Sequence, residues 1–189
     1  SNESLINKKV LDLGCGDGRN MPFLRDLGLE VFGVEINKDI VELCRAHMNL
    51  NKIDVEVKIG KNSSIPYPDQ FFDFIVACHA CYYLDEKDDF LINIKEISRV
   101  LKPKSRFVFS VPKSTSYLLD GADIDPSGHA IIRKDPLRIR NGTKIKYFET
   151  EDQIEYTMKD YFSDFTIGSC ENNWWGTKEF CWTVICLSR

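Results

Sequence analysis

Residues 10–20 read VLDLGCGDGRN, an apolar run around Asp12 followed by three glycines at alternate positions, Gly14, Gly16 and Gly18. Glycine weakens a strand and costs roughly 1 kcal/mol against alanine inside a helix. Three in five residues therefore mark a place where the backbone turns tightly and something must approach it closely. The flanks agree. Lys9 to Leu13 has the apolar, branched character of a buried strand, and Arg19 to Leu27 reads as a helix with Met21, Phe23, Leu24 and Leu27 inward.

Outward from this turn the same rhythm continues. Glu30 to Glu35 is a second strand, and Asn37 suits the N-cap of a helix to about Asn49 that carries Ile40, Val41, Leu43 and Cys44 on one face. Val55 to Ile59 and Phe71 to Cys78 read as further strands, with a helix from about Asp88 to Leu101, stopped by Pro103, and a fifth strand from Arg106 to Val111. The alternation predicts an α/β fold, a doubly wound parallel sheet with helices on both faces. After Pro112 the rhythm breaks into a polar stretch with interspersed Pro and Gly, residues 112–148. A last helix opens at Thr150, with Gln153 completing a capping box, and two strands close the chain near Phe165–Glu171 and Glu179–Leu187. No internal repeat is evident, and residues 1–189 are expected to form a single domain with a substrate-side excursion at about 112–148.

Composition excludes some classes of function. An apolar share of 43% and a charged share of 29% are ordinary for a globular chain, and no window approaches the ~18 apolar residues of a membrane span. The absence of a signal peptide at the start argues for a cytoplasmic location. Seven cysteines, an odd and scattered set lying mostly in apolar runs, point to reduced thiols and not to a disulfide framework. A net charge of −4 gives no global attraction to nucleic acid, so no such partner is expected on composition. Nothing in the sequence indicates an oligomeric state.

The second strand ends in Glu35, 17 residues beyond Gly18. An acid at that place can accept hydrogen bonds from both hydroxyls of a ribose and fix a nucleoside over the glycines; the plain alternative is a tight turn beside a surface glutamate. A dinucleotide fingerprint, G-x-G-x-x-G, fails because position 19 is Arg. The stretch instead resembles the first motif, D/E-x-G-x-G-x-G, of class I S-adenosylmethionine-dependent methyltransferases. IPYPDQFFDFIVACHACYYL (65–84) looks like that family's loop into the fourth strand, and ISRVLKPKSRFVFSV (97–111) like its junction between helix and fifth strand. The resemblance is close over residues 8–111 and only in outline beyond.

The resemblance implies a mostly parallel seven-stranded sheet with an antiparallel last strand, S-adenosyl-L-methionine as cofactor and S-adenosyl-L-homocysteine as product. It implies that Asp12 supports the glycine turn and the methionine amino group, and that Gly14, Cys15, Gly16 and Gly18 offer backbone. Glu35 would hold the ribose, Ile36 would pack on the adenine, Asn20 would reach the carboxylate, and the Cys78 carbonyl would take another amino hydrogen. The family's usual adenine-binding Asp is replaced by Lys61 in GKNSS, which leaves Asn62 or backbone amides for that contact; the usual LKPGG turn reads LKPKS. The family usually has helices before the first strand that cover the cofactor, whereas this chain has about nine residues there, so the 112–148 segment or an N-terminal lid removed from the chain is expected to provide the cover.

Methyl transfer from a sulfonium is an in-line displacement, so the protein chiefly positions the reactants and excludes water. His79, just after the fourth strand, is the first candidate general base, against a packing role; His129, in the polar excursion, is a weaker one. CHAC suggests zinc, but four ligands at metal spacing are not evident, so no metal is expected. Asn141-Gly142 signals a hairpin whose three-residue loop, Arg140 to Gly142, would set Arg138 opposite Lys144 and Leu137 opposite Ile145. Like charges facing each other call for an anion between them, or the segment is a solvated basic edge. Arg138 and Arg140 are thus candidate substrate residues. Tyr82 and Tyr83 read as core, while Trp174 and Trp175 are either core or a substrate wall. The expected function is methylation of a small acceptor at oxygen or nitrogen, with a macromolecular acceptor or a non-catalytic cofactor-binding subunit as rivals.

Overall fold

The computed structural model describes residues 4–85 and 87–189. The chain runs through β1 (Lys9–Leu13), α1 (Met21–Asp26), β2 (Glu30–Glu35), α2 (Lys38–Leu50), β3 (Glu56–Ile59) and β4 (Phe72–Ala77). Then come β5 (Tyr83–Leu84), α3 (Phe90–Val100), β6 (Leu101–Pro112), β7 (Asp123–Ile124), β8 (His129–Ile131) and β9 (Lys144–Lys146). The last elements are α4 (Glu151–Met158), β10 (Phe162–Trp174) and β11 (Thr177–Ser188). Seven strands form one sheet in the order β10-β11-β6-β4-β1-β2-β3. All pairs from β3 to β6 are parallel, and β11 runs against both of its neighbours.

Alternation along β1 divides the core. Val10 packs with Met21 and Leu24 of α1 and Val41, Cys44 and Met48 of α2. Leu11 and Leu13 join Phe90, Ile94 and Ile97 of α3 and Ile154 and Met158 of α4. Strand side chains point to opposite faces with period two, so these clusters lie on the two faces of the sheet. Expected inward positions fail at Phe23, Leu27 and Leu43, which are exposed. The reason is length and register: α1 has six residues and buries Met21 and Leu24, while α2 buries the stripe Val41, Cys44, Met48. Asn37 caps α2 by accepting from the amides of Asp39 and Ile40, and Thr150 caps α4 by accepting from Gln153 N. β6 starts earlier than the sequence suggests because Leu101 pairs with Phe72 across a register shift. Lys104, where glycine is usual, takes a left-handed φ of 61°.

The excursion after β6 is not the predicted hairpin. Its strands join β5 in a second sheet, β5-β9-β8-β7, in which Lys144 pairs with Ile131 and Leu84, and Ile145 with Ala130 and Tyr83. Arg138 therefore does not face Lys144, nor Leu137 Ile145. The loop from β8 to β9 is closed from within by the buried Asp135, whose carboxylate accepts from the amides of Leu137 (3.2 Å), Ile139 (3.1 Å) and Arg140 (2.9 Å). Asn141 Oδ1 accepts from Asp135 N at 2.9 Å. One carboxylate satisfies amides that a partner strand would otherwise take.

The tryptophans are in neither of the expected places. Trp175 and Gly176, with φ of 51° and 93°, form the two-residue tip of the β10–β11 hairpin, where Trp174 is 55% and Trp175 98% exposed. Tyr82 is core, as expected; Tyr83 is only half-buried. All seven cysteines are free, and five of them are buried.

Candidate active site

The glycine turn lies at the carboxyl end of β1. Gly14, Gly16 and Gly18 all hold left-handed φ angles, of 68°, 56° and 85°. A Cβ on Gly14 would stand 2.5 Å from Ala80 Cβ and one on Gly18 2.9 Å from Cys44 Sγ, whereas one on Gly16 would meet nothing within 4 Å. Two of the glycines are thus required by close packing, and the third borders open space. The amides of Gly14 and Cys15 donate to Val34 O at 2.8 and 3.1 Å, which binds the turn to β2. The Cys15 side chain is buried beneath it.

Asp12 is 1% exposed. Its Oδ1 accepts a 3.5 Å bond from Asn20 Nδ2, and its Oδ2 has no partner among the described residues. Burial pushes its pKa up to about 7, against the opposing influence of Asn20 and Arg19. A carboxylate held dry with one idle oxygen suits a cation that arrives from outside. Asn20 is engaged with this carboxylate, where the sequence suggested a contact to a ligand carboxylate. Glu35 is also engaged: Oε2 accepts from Gly16 N at 3.2 Å, and Oε1 from Ile36 N at 2.8 Å and Asn37 N at 3.2 Å.

A cleft of about 490 Å³ opens above these residues, and Gly14, Glu35, Ile36, Asn62, His79 and Arg140 are among those that line it. That is the size range of a small-molecule or cofactor site. Asn62 faces it while its Nδ2 donates to Ala80 O (2.9 Å) and Tyr83 O (3.1 Å), so it ties two loops together. Lys61 and Asp85, both in the lining, form an ion pair. Cys78 is exposed at the end of β4.

His79 holds a left-handed φ of 53°, and its amide donates to Ser110 Oγ at 2.8 Å. Non-glycine residues in that region carry strain of order 1–3 kcal/mol, and such strain clusters at functional sites. Burial lowers its pKa; Glu179 opposes this, and Arg140 and Arg19 reinforce it. The imidazole is therefore neutral at pH 7. His79 also lines a second cavity of about 30 Å³, together with Tyr82, Tyr117, Arg140 and Glu179. His129 sits elsewhere, buried in β8 with Nδ1 2.6 Å from Ser127 Oγ.

Of the two candidate arginines, Arg140 lies in the cleft and Arg138 on the exposed part of its loop, with a left-handed φ of 57°. Arg140 Nε donates to Tyr83 Oη at 3.0 Å and Nη1 to Tyr117 Oη at 3.4 Å; Nη1 is 3.6 Å from the buried Asp135. Tyr117, Asp135 and Glu179 escaped the sequence reading, and Tyr83, read there as core, lines the cleft. Only Asp135, six residues before an Asn-Gly, carried a local signal, as a loop-closing aspartate. Among the described residues no group of three or more His, Cys, Asp or Glu could hold a metal, and no helix is long and apolar enough to cross a membrane.

Comparison with known proteins agrees with this geometry. The chain is 30% identical over 105 residues to a fatty-acid O-methyltransferase of Mycolicibacterium smegmatis, covering 54% of this chain and 36% of that protein. It is 30% identical over 102 residues to a ubiquinone biosynthesis O-methyltransferase of Pelagibacter ubique, covering 54% and 41%. The chain thus spans about two-fifths of the length of such curated relatives. A crystal structure from Pyrococcus horikoshii OT3 shares the fold with a TM-score of 0.73 at 22% identity, over 97% of this chain and 82% of that one. A SAM-dependent methyltransferase structure from Methanosarcina mazei does so with 0.68 at 21%, over 96% and 92%. A family model described as a methyltransferase domain matches residues 11–109, more than half of the chain, and the chain belongs to that family, the class I S-adenosylmethionine-dependent methyltransferases.

Proposed function

We propose that this chain transfers a methyl group from S-adenosyl-L-methionine to an oxygen or nitrogen of a small acceptor that carries an anionic group. The observation that carries the reading is the buried Asp12 with its idle Oδ2, set at the base of a left-handed glycine turn whose Gly14 lines the cleft together with Glu35. Those residues fit the cofactor: Asp12 would take its ammonium, Glu35 its ribose hydroxyls, and the open side of Gly16 its close approach. Glu35 already accepts three amides, so the ribose would join or displace bonds that exist. Ile36, exposed in the cleft wall, offers an apolar face for the adenine. When bound, the cofactor supplies an activated methyl group.

The chain's own residues then orient the acceptor and handle its proton. His79, neutral at pH 7 and shared between cleft and small cavity, is placed to accept that proton. Arg140, held by Tyr83, Tyr117 and Asp135, would meet the anionic group. The relatives named for fatty-acid and ubiquinone methylation act at oxygen, which supports a small-molecule acceptor without naming it.

Titration calorimetry with S-adenosyl-L-methionine, S-adenosyl-L-homocysteine and NAD tests the reading. Micromolar binding of the first two and none of NAD is expected. No heat with either methionine-derived ligand would overturn it.

A further inference from the structure

Two loops carry bulky apolar side chains into water at one edge of the large sheet. The first runs from β8 to β9, where Leu137 is 68% and Ile139 71% exposed. The second is the β10–β11 tip, with the exposed Trp174 and Trp175. Topology sets both at the cleft. β4 runs parallel to β1 and β6 to β4, while β11 runs against β6 and β10 against β11. β10 therefore ends on the same edge of the sheet as the glycine turn. Ile139 lines the cleft itself. The next residue, Arg140, borders the small cavity beside His79 together with Glu179, which accepts from Trp174 Nε1, so the two tips are neighbours.

Neither tip is what folding alone would select. Trp175 and Arg138 hold left-handed φ angles of 51° and 57°, a region that their side chains disfavour. A tryptophan in water, at a turn that Asn suits better, combines strain with exposure, and the two together point to a task outside the fold. The charge beside the tips also departs from that of the chain. Residues 133–144 hold five Lys and Arg against one Asp, in a chain of net charge −4. Within the molecule Arg133 pairs with Asp123, Arg140 stands beside Asp135, and Lys144 donates to Asp88 O. Lys134 and Arg138, and Lys178 next to the other tip, are exposed and have no ion pair among the described residues.

We propose that this edge docks on an anionic lipid surface. Trp174, Trp175, Leu137 and Ile139 enter the headgroup layer, and Lys134, Arg138 and Lys178 meet its acidic groups. Tryptophan favours that layer because its ring has an apolar body and a polar N–H, and basic side chains add attraction to acidic lipids. Protruding tips suit a layer that yields around them, whereas a protein partner needs a continuous, matched surface. The docking goes beyond the methyl-transfer reading and does not depend on it. Joined to that reading, it opens the cleft onto the lipid, so that an amphiphilic acceptor enters without passing through bulk water.

Co-sedimentation of the chain with lipid vesicles is the test. At low ionic strength the protein should pellet with vesicles of equimolar phosphatidylcholine and phosphatidylglycerol, and bind phosphatidylcholine alone about tenfold more weakly or less. Added salt should weaken the binding to acidic vesicles. Leu137→Ser combined with Trp175→Asn should weaken it by about tenfold or more, in a protein whose thermal melts show an intact fold. Lys134→Gln, Arg138→Gln and Lys178→Gln together should remove the preference for acidic lipid, at about fivefold per charge. Calorimetry should give both variants the parent's affinity for S-adenosyl-L-homocysteine, so that docking and the cofactor reading fail separately. No pelleting with the acidic vesicles, or pelleting that neither set of substitutions reduces, would overturn the proposal. So would a dimer in sedimentation velocity that Leu137→Ser with Trp175→Asn dissolves, because the tips would then belong to an interface with a second copy of the chain.

Discussion

Asp12 shows how one side chain links stability to ligand binding. Its pKa rises from the ordinary 3.8 to about 7, so between those values the folded protein keeps a proton that the unfolded chain has released. The ligand-free fold therefore loses stability from this group as pH climbs from about 4 to 7, and no further above that. Ligand binding runs the other way, because the arriving ammonium needs the carboxylate. Affinity for S-adenosyl-L-homocysteine should fall about tenfold per pH unit below about 7. Asp12→Asn should abolish that binding and raise the melting temperature of the free protein at pH 8, checked by calorimetry and thermal melts. Glu35→Ala should weaken binding by about 2–3 kcal/mol, since bonds to a charged group are worth about 1.5–3 kcal/mol each and water replaces them in part; an unchanged dissociation constant would show that Glu35 does not hold the ribose. His79→Gly separates chemistry from packing. Glycine accepts the left-handed backbone at no steric cost, so the fold should be unharmed while turnover drops by about 10²-fold. Asp12, the glycines and Glu35 were legible in the sequence because their signals are local: a spacing, a strand end, a forced backbone. Glu179 and Tyr117 were not, because only the fold brings residues so distant in sequence together around Arg140.

Among the elements, legibility follows the strength of the period. The strands of the large sheet up to β6 and the helices between them carry apolar patterns, and their bounds shift only at the ends. The second sheet has strands of two or three residues, too short to show alternation, and the predicted hairpin there lost to the internal closure by Asp135. The β10–β11 tip raises a different point. A two-residue turn with both φ angles positive favours Asn-Gly, yet this one is Trp175-Gly176. Trp175→Asn should therefore stabilise the protein by about 0.5–1 kcal/mol. At about 2–4 °C per kcal/mol for a chain of this size, thermal melts can resolve it. A lower melting temperature would mean that the indole makes a stabilising contact despite its exposure.

For the whole molecule, the cleft predicts a coupling between ligand and melting. A ligand that binds only the folded state, at a hundred times its dissociation constant, adds about 2.7 kcal/mol. For this chain length S-adenosyl-L-homocysteine should raise the melting temperature by about 5–10 °C, more at pH 8 than at pH 6 because of Asp12, while NAD leaves it unchanged. The α/β class followed from the alternation of apolar runs with helical stripes, and the seven-stranded sheet with its antiparallel end from the family resemblance. That the 112–148 segment reaches the cleft was expected from its place after β6, but not how Tyr83, Arg140 and Tyr117 meet there across three separate segments.

The hydrogen bond from Trp174 to Glu179 turns the hairpin tip into an optical gauge. The protein has three tryptophans, and two of them stand at this tip in water, while Trp182 is half-buried with its Nε1 bonded to Phe148 O at 3.1 Å. Emission is thus weighted toward the tip, where a dissolved quencher such as acrylamide reaches freely. Any cation that settles on Glu179 alters the charge next to the Trp174 indole. Cation binding at Glu179 should then be readable as a change in intrinsic fluorescence, without a label, and the change should vanish in Glu179→Gln.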